Sequence, residues 1–258
     1  MAYTIALAGK GGTGKTTTAA LIVRALRDLG ARSVLAVDAD PNACLHDSLG
    51  VHVERSVGEI TEEMLAQPEA NPGGMSKNDW IEYNIQRYVV ETRDFDLLSM
   101  GRPEGSGCYC YSNNLVRGAI DGLQRSYEYV VMDNEAGLEH LSRRTTRNVD
   151  MLIVVADAAV RGIKTAATLS ELADELKVAV GSRYLIVNRA EEPLHPALLE
   201  AIEQTGIPLM GVIPPDDTIA ERDLEGGGLF TIPDDSPSLA RVRSMIAQAI
   251  PALAGANV

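Results

Sequence analysis

The residues whose types and spacing point first to chemistry form a glycine-rich run at positions 9–17, after an apolar segment at 4–8 and before a helical pattern. In order they are Gly9, Lys10, Gly11, Gly12, Thr13, Gly14, Lys15, Thr16 and Thr17. The glycines let backbone N–H groups turn toward phosphate oxygens, and the helix N-terminus that follows adds positive potential. Lys15 is placed to reach the β and γ oxygens, and Thr16 to hold Mg²⁺. The run therefore predicts a nucleoside triphosphate site.

Lys10, directly after the first glycine, is not part of the ordinary phosphate-loop pattern. A lysine there lies beside phosphate charges that Lys15 already neutralises. With this residue the run resembles the deviant phosphate loop of the MinD/ParA class of ATPases. The resemblance implies ATP as the ligand and a nucleotide-sandwich homodimer, in which Lys10 of each subunit touches the ATP phosphates of the other. The alternative is a solvated loop lysine.

Carboxylates follow two of the predicted strands, with Asp38 and Asp40 after the second and Asp133 after a later one. Ligands of doubly wound sheets bind outside the carboxyl ends of the strands, so these groups can converge on the metal and the terminal phosphate. By position, the resemblance implies that Asp133 is the Walker B aspartate, which binds Mg²⁺ through water. It also implies that Asp40 orients the attacking water and that Asp38 supports the site. For Asp38, a turn-forming or helix-capping role is the alternative.

Further candidates for nucleotide binding lie later in the chain. Gly137, four residues after the Walker B position, fits a switch loop whose backbone N–H senses the γ-phosphate. Asn188 ends a predicted strand, and Pro214 and Pro215 follow another. Members of the resembled class grip adenine through an asparagine and a proline loop, which implies that Asn188, Arg189 and the two prolines bind the base. The residues after Asn188 also resemble a guanine-binding box, but its lysine and aspartate are both changed, so ATP is favoured over GTP.

Two of the three cysteines, Cys108 and Cys110, are separated by one residue in a segment that contains glycines. One such pair fills half of a tetrahedral site, and a twofold dimer would supply four thiolates, enough for Zn²⁺, Ni²⁺ or a bridging iron–sulfur cluster. The alternative is a pair of incidental thiols, because a lone C-x-C is a weaker signal than paired C-x-x-C motifs. Cys44 is predicted to be a small buried residue inside a helix, and His140 is a candidate transient ligand.

Residues 74–77, 107–110 and 133–145 together resemble the CooC family of nickel-inserting ATPases, which mature carbon monoxide dehydrogenase. The resemblance implies Ni²⁺ or Zn²⁺ at the C-x-C pair in the dimer interface, and carbon monoxide dehydrogenase as the client. A very similar family, AcsF, serves acetyl-CoA synthase, and these motifs do not separate the two clients. A reductase like the nitrogenase iron protein, with a bridging iron–sulfur cluster, is the other alternative.

Composition excludes several classes of function. The 258 residues are 45% hydrophobic and carry a formal net charge of -13. An acidic surface opposes attraction to nucleic-acid phosphates, so we expect no nucleic-acid partner, and the same charge counts against a partition ATPase. The sequence has neither a run of about 18 apolar residues nor a charged-then-apolar leader, so we expect a cytoplasmic protein without a membrane partner.

The elements that must position these residues alternate between strand and helix patterns. They predict one α/β domain over residues 1–258, with a doubly wound, mostly parallel sheet covered by helices on both faces. The resemblance places it in the SIMIBI class of P-loop nucleoside triphosphatases. Strands are predicted at 4–8, 33–38, 95–99, 129–133, 151–156, 183–188 and 209–213. Residues 51–94, broken by prolines and glycines, are predicted to be a surface insertion with short helices.

Overall fold

The computed structural model of the chain describes residues 2–40, 42–66, 75–101, 110–135 and 148–254. The strands in these ranges are β1 (Tyr3–Ala8), β2 (Val34–Ala39), β3 (Val90–Glu91), β4 (Asp96–Ser99), β5 (Tyr129–Asn134), β6 (Asn148–Asp157), β7 (Ala179–Asn188) and β8 (Leu209–Ile213). The helices are α1 (Lys15–Asp28), α2 (Leu45–Leu49), α3 (Val57–Ala66), α4 (Lys77–Arg87), α5 (Cys110–Gln124), α6 (Val160–Glu175), α7 (Pro196–Thr205), α8 (Asp217–Glu225), α9 (Pro237–Ala249) and α10 (Pro251–Ala254), with a 3-10 turn at Leu229–Thr231.

The eight strands form a single sheet in the order β3-β4-β2-β5-β1-β6-β7-β8. Neighbours are parallel throughout, except for β3 against β4 at one edge. The predicted α/β fold with a mostly parallel, doubly wound sheet is confirmed, and each of the predicted strands forms. Strand β3 is not among the predicted strands, because a pair of residues is too short to show a hydrophobic period.

Helices cover both faces of the sheet. Side chains of α3 to α7 pack on one face and join the core with Ala6 and Ala8 of β1. Side chains of α1, α2, α9 and α10 pack on the other face, with Ile5 and Leu7. Successive strand residues point to opposite faces, so a sheet covered on both sides needs an unbroken apolar run in each central strand. This is the pattern from which the parallel strands were predicted.

The described part of segment 51–94 differs from the predicted surface insertion. Its two helices, α3 and α4, do form, but Ile60, Ile81 and Ile85 are almost completely buried, and Ile81 and Ile85 belong to the core of one face. Ser76 begins α4 as a capping residue, because its hydroxyl accepts a hydrogen bond from Asp79 N at 3.2 Å and donates one to Asp79 Oδ2 at 2.7 Å. These helices therefore belong to the helical layer rather than lying outside it.

A contact between two glycines connects the segment after β2 to the chain before α9. Gly50 ends α2 with a φ of 74°, and a Cβ placed on Gly228 would lie 2.5 Å from Gly50 Cα. Such a distance means that the two backbones are in direct contact and that neither position has room for a side chain. Within the described ranges, no helix is long and apolar enough to span a membrane.

Candidate nucleotide-binding site

The glycine-rich run joins β1, the central strand next to β5 and β6, to the start of α1 at Lys15. Two of its glycines are required by close contacts with neighbouring strands. A Cβ on Gly9 would lie 2.3 Å from the carbonyl oxygen of Val155 in β6. A Cβ on Gly14, where φ is 87°, would lie 2.2 Å from Nδ2 of Asn188 at the end of β7. The loop backbone therefore lies in direct contact with β6 and β7, and a residue with a Cβ would not fit at position 9 or 14.

Several backbone carbonyl groups of the loop accept hydrogen bonds from protein groups. Lys10 O accepts hydrogen bonds from Thr13 N at 3.3 Å and from Thr13 Oγ1 at 2.9 Å. Thr13 O accepts from Asn188 Nδ2 at 2.8 Å. Gly14 O accepts from Thr18 N at 2.9 Å and from Thr18 Oγ1 at 2.8 Å. With these acceptors engaged, the remaining N–H groups of the loop can turn to an anion, as a phosphate site requires.

Thr16 and Asp133 meet beneath the loop. The Thr16 hydroxyl donates to Asp133 Oδ2 at 2.6 Å, and Asp133 is 1% exposed. Burial raises the pKa of Asp133 to about 6, although the Thr16 hydrogen bond and the nearby Lys15 charge act to lower it. The other carboxylate oxygen, Oδ1, is buried without a hydrogen-bond partner among the described residues. A hydroxyl beside a carboxylate with a free oxygen is a donor set that fits Mg²⁺.

Asp38 and Asp40 occupy the end of β2 beside Asp133, with Asp38 in register opposite Asp133. Asp38 is fully buried and accepts hydrogen bonds from Leu45 N, the first residue of α2, at 2.8 Å and from Asp40 N at 3.2 Å. Burial raises the pKa of Asp38 to about 7, and the neighbouring Asp133 adds to the effect. Asp40 is half-buried and accepts from the backbone and side chain of Asn42 at 2.8 and 3.0 Å. Asp38 thus supports the turn that contains Asp40.

The residues predicted to bind the base are brought together by β7 and β8. Asn188 pairs in register with Ile213, the residue before Pro214, so the polar amide and the proline segment leave the sheet side by side. The amide of Asn188 bonds the loop as described above, while its Oδ1 accepts from Arg189 N at 3.0 Å. Pro215 is exposed, and Pro214 lines a cleft of about 350 Å³ between β8 and α9. The structure thus places Asn188 and Arg189 against the phosphate loop, with the proline segment beside Asn188.

Several predicted residues lie outside the described ranges. They are Cys108, Gly137 and His140. Cys110 begins α5, but its side chain is not among those described. The C-x-C metal site and the switch glycine therefore stay predictions.

The prediction that Cys44 is buried inside a helix is wrong. Cys44 is exposed and precedes α2, which begins at Leu45 rather than at Asn42. The reason lies in Ala43, which adopts a left-handed conformation with φ of 47° that a helix cannot include. The turn that places Asp40 at the site thus also exposes the cysteine.

Asn134 has no predicted role, yet it is a buried polar residue next to the site. Its Nδ2 donates to Leu7 O of β1 at 2.8 Å, directly below the phosphate loop, and the residue is 0% exposed. Its Oδ1 is buried without a partner in the described part of the chain. The signal that could have identified it is an asparagine at the end of an apolar strand, directly after Asp133.

Comparison with known proteins agrees with this geometry. Residues 4–229 match the CbiA family, the CobQ/CobB/MinD/ParA nucleotide binding domain. An uncharacterized ATP-binding protein of Methanocaldococcus jannaschii is 44% identical over 93% of this chain and 96% of its own length. The carbon monoxide dehydrogenase accessory protein CooC of Rhodospirillum rubrum is 33% identical over 86% of this chain and 87% of its own.

Solved structures share the fold. The septum site-determining protein MinD of Pyrococcus horikoshii, complexed with Mg-ADP, superposes with a TM-score of 0.65 at 21% identity and covers 100% of both chains. The matched residues include the phosphate loop and the aspartates at the ends of β2 and β5. They also include β7 and β8, which lead to the residues predicted to bind the base. The chain therefore belongs to the CobQ/CobB/MinD/ParA family of P-loop nucleotide-binding proteins.

Proposed function

We propose that the protein is an ATP-dependent, homodimerising metallochaperone that binds nickel at a C-x-C site and assists its insertion into carbon monoxide dehydrogenase. The observation that carries the proposal is a pair of features in one chain. The chain is 33% identical to a carbon monoxide dehydrogenase accessory protein over 86% of its length. It also carries Cys108 and Cys110 one residue apart.

The nucleotide half of the proposal is supported by the site. Lys15 at the start of α1 contacts the phosphates of ATP, and the base lies between Asn188 and the segment at Pro214. Thr16 and Asp133 would hold Mg²⁺, which would neutralise charge on the β- and γ-phosphates. The MinD structure that shares this fold was solved with Mg-ADP. Asp40 orients a water for attack on the γ-phosphate, and hydrolysis yields ADP and phosphate.

The part of the proposal that concerns homodimerisation rests on the positions of Lys10 and of the two cysteines. Lys10 is exposed at the outer side of the loop, so its ammonium group can reach a second subunit. Cys110 begins the helix that connects β4 to β5, two strands whose carboxyl ends lie on either side of β2 and its aspartates. Twofold symmetry at this edge doubles the C-x-C pair to four thiolates, which completes a tetrahedral site for Ni²⁺ or Zn²⁺. ATP and metal then share one interface.

The experiment is elemental analysis of anaerobically reduced protein with Ni²⁺, in the presence of ATP or ADP. We expect about one Ni²⁺ per ATP-bound dimer, less with ADP, and none in the Cys108→Ala/Cys110→Ala variant, which still binds ATP. Cys44→Ala is the matched control and keeps the metal. Undiminished metal in the double variant would sink the C-x-C assignment. Iron with sulfide and cluster absorbance would favour the reductase alternative.

The client is tested separately by activating metal-free enzymes. Purified nickel-free carbon monoxide dehydrogenase should gain activity faster with wild-type protein, Ni²⁺ and ATP than with the double cysteine variant. Activation of acetyl-CoA synthase instead would identify the AcsF-like alternative.

A further inference from the structure

Two consecutive residues, the last of β7 and the one after it, hold two consecutive carbonyl groups of the phosphate loop. Asn188 Nδ2 donates to Thr13 O at 2.8 Å, and the guanidinium Nη2 of Arg189 donates to Gly12 O. Neighbouring groups keep the pair in place, since Arg189 N donates to Asn188 Oδ1 at 3.0 Å and Ala190 N extends the pairing with β8. The loop after β7 thus reaches across β6 to the loop after β1.

Arg189 has two features that an ordinary solvated arginine lacks. Its backbone is left-handed, with φ of 54°, a conformation that is uncommon outside glycine and is found preferentially at functional sites. Its side chain is exposed and makes no ion pair with the residues that the structure describes, yet it donates to a neutral carbonyl. Carboxylates outnumber lysines and arginines in this chain, 36 to 23, and a carboxylate forms a stronger hydrogen bond with a guanidinium than a neutral carbonyl does.

The carbonyl that Arg189 holds belongs to the least supported part of the loop. Gly11 and Gly12 are exposed, and a Cβ placed on either would meet nothing within 4 Å. The hydrogen bonds from Thr13 to Lys10 O close the turn from inside. On its outer side, the contact from Arg189 fixes the orientation of the Gly12 peptide, and with it the path of the chain from Lys10.

We propose that Arg189 is a positioning residue for ATP hydrolysis, which holds the Gly12 carbonyl so that the loop presents Lys10 to the second subunit. The proposal rests on the role given to Lys10 in the proposed function. It differs from the expectation that Arg189 binds the base, because here Arg189 acts on the loop and through Lys10. Asn188 donates a hydrogen bond to the same loop. The residues predicted to bind the base are therefore connected directly to the loop that carries Lys10.

A double-mutant cycle on the full-length protein tests this inference, with kcat, the KM for ATP and the Kd for ADP as readouts. The variants are Arg189→Ala, Lys10→Ala, and the two together, with Arg189→Lys as the conservative variant. Because a charge-assisted hydrogen bond is lost, Arg189→Ala should lower kcat roughly tenfold to a hundredfold, with KM and the ADP Kd within about threefold of wild type. Arg189→Lys keeps a donor and should recover part of the rate.

In the Lys10→Ala background, adding Arg189→Ala should change kcat by less than about twofold, because residues acting through one group are not additive. Arg125→Ala is the matched control: it removes an exposed arginine between α5 and β5, before the amino-terminal end of a strand parallel to β1, whereas the phosphate loop follows the carboxyl end of β1, and it should keep wild-type kinetics.

If the effects of Arg189→Ala and Lys10→Ala on kcat multiply in the double variant, the inference is overturned. A rise of about tenfold or more in the ADP Kd of Arg189→Ala would also overturn it, because Arg189 would then contact the nucleotide. Wild-type kcat in Arg189→Ala, or in Lys10→Ala, would overturn it as well. Metal content is a separate readout: a wild-type protein that binds no Ni²⁺ would remove the metallochaperone proposal and leave the kinetic cycle intact.

Discussion

Replacing Asp38 by asparagine should change how the stability of the protein depends on pH. The carboxyl is fully buried, and its pKa is raised from 3.8 to about 7, chiefly by burial. A raised pKa means that the folded state holds the proton more tightly than the unfolded state. The stabilisation is therefore complete below the unfolded pKa and is lost as pH rises through the folded one. Since each tenfold change in proton affinity is worth about 1.4 kcal/mol, the full effect is about 4 kcal/mol.

The assay is urea unfolding of nucleotide-free protein in the presence of a chelator. Between about pH 5 and about pH 8, wild type should lose roughly 2 to 3 kcal/mol more stability than Asp38→Asn. The asparagine is neutral at every pH and leaves one of two N–H donors without its acceptor, a pH-independent cost of about 1 kcal/mol. Asp217→Asn, at an exposed carboxylate in α8, is the matched control and should follow the wild-type profile. Parallel curves for wild type and Asp38→Asn would refute the reasoning.

Three further predictions concern the loop, the water and the packing. Lys15→Ala should lose nucleotide binding, whereas Lys10→Ala should keep ADP binding and lose ATP-driven dimerisation. Sedimentation with each nucleotide measures both effects. A Lys10→Ala protein that is fully dimeric with ATP would contradict the nucleotide-sandwich homodimer. Asp40→Ala should bind ATP and dimerise but hydrolyse at least about a hundredfold more slowly, and wild-type turnover would move the water-orienting role elsewhere. Gly228→Ala, whose Cβ would lie 2.5 Å from backbone atoms, should lower the free energy of unfolding by about 1 to 3 kcal/mol. Gly118→Ala, with nothing within 4 Å, is its control and should not be destabilised in the same urea titration.

Local patterns were sufficient for most elements of the fold. The buried strands are continuous apolar runs, because both faces of a parallel sheet are covered, and such runs are visible in one sequence. Two differences between the expected and the observed local structure have local causes. Apolar residues in α3 and α4 are separated by a proline-rich stretch that hid their helical period. The helix predicted over Cys44 begins later, because Ala43 is left-handed, and nothing in an alanine signals that conformation.

The sequence by itself determined the chemistry of the nucleotide site. Glycines, Lys15 and Thr16 act within one short loop, so their spacing along the chain is close to their spacing in the structure. Only the tertiary structure decided which distant groups meet that loop. Asn188 bonds Thr13 across 175 positions, and Asp133 bonds Thr16 across 117. Such pairs depend on strand order, which sets β5, β6 and β7 close to β1. Burial has the same origin: the raised pKa values of Asp38 and Asp133 come from desolvation, which exists only once the layers of helices have closed over the sheet.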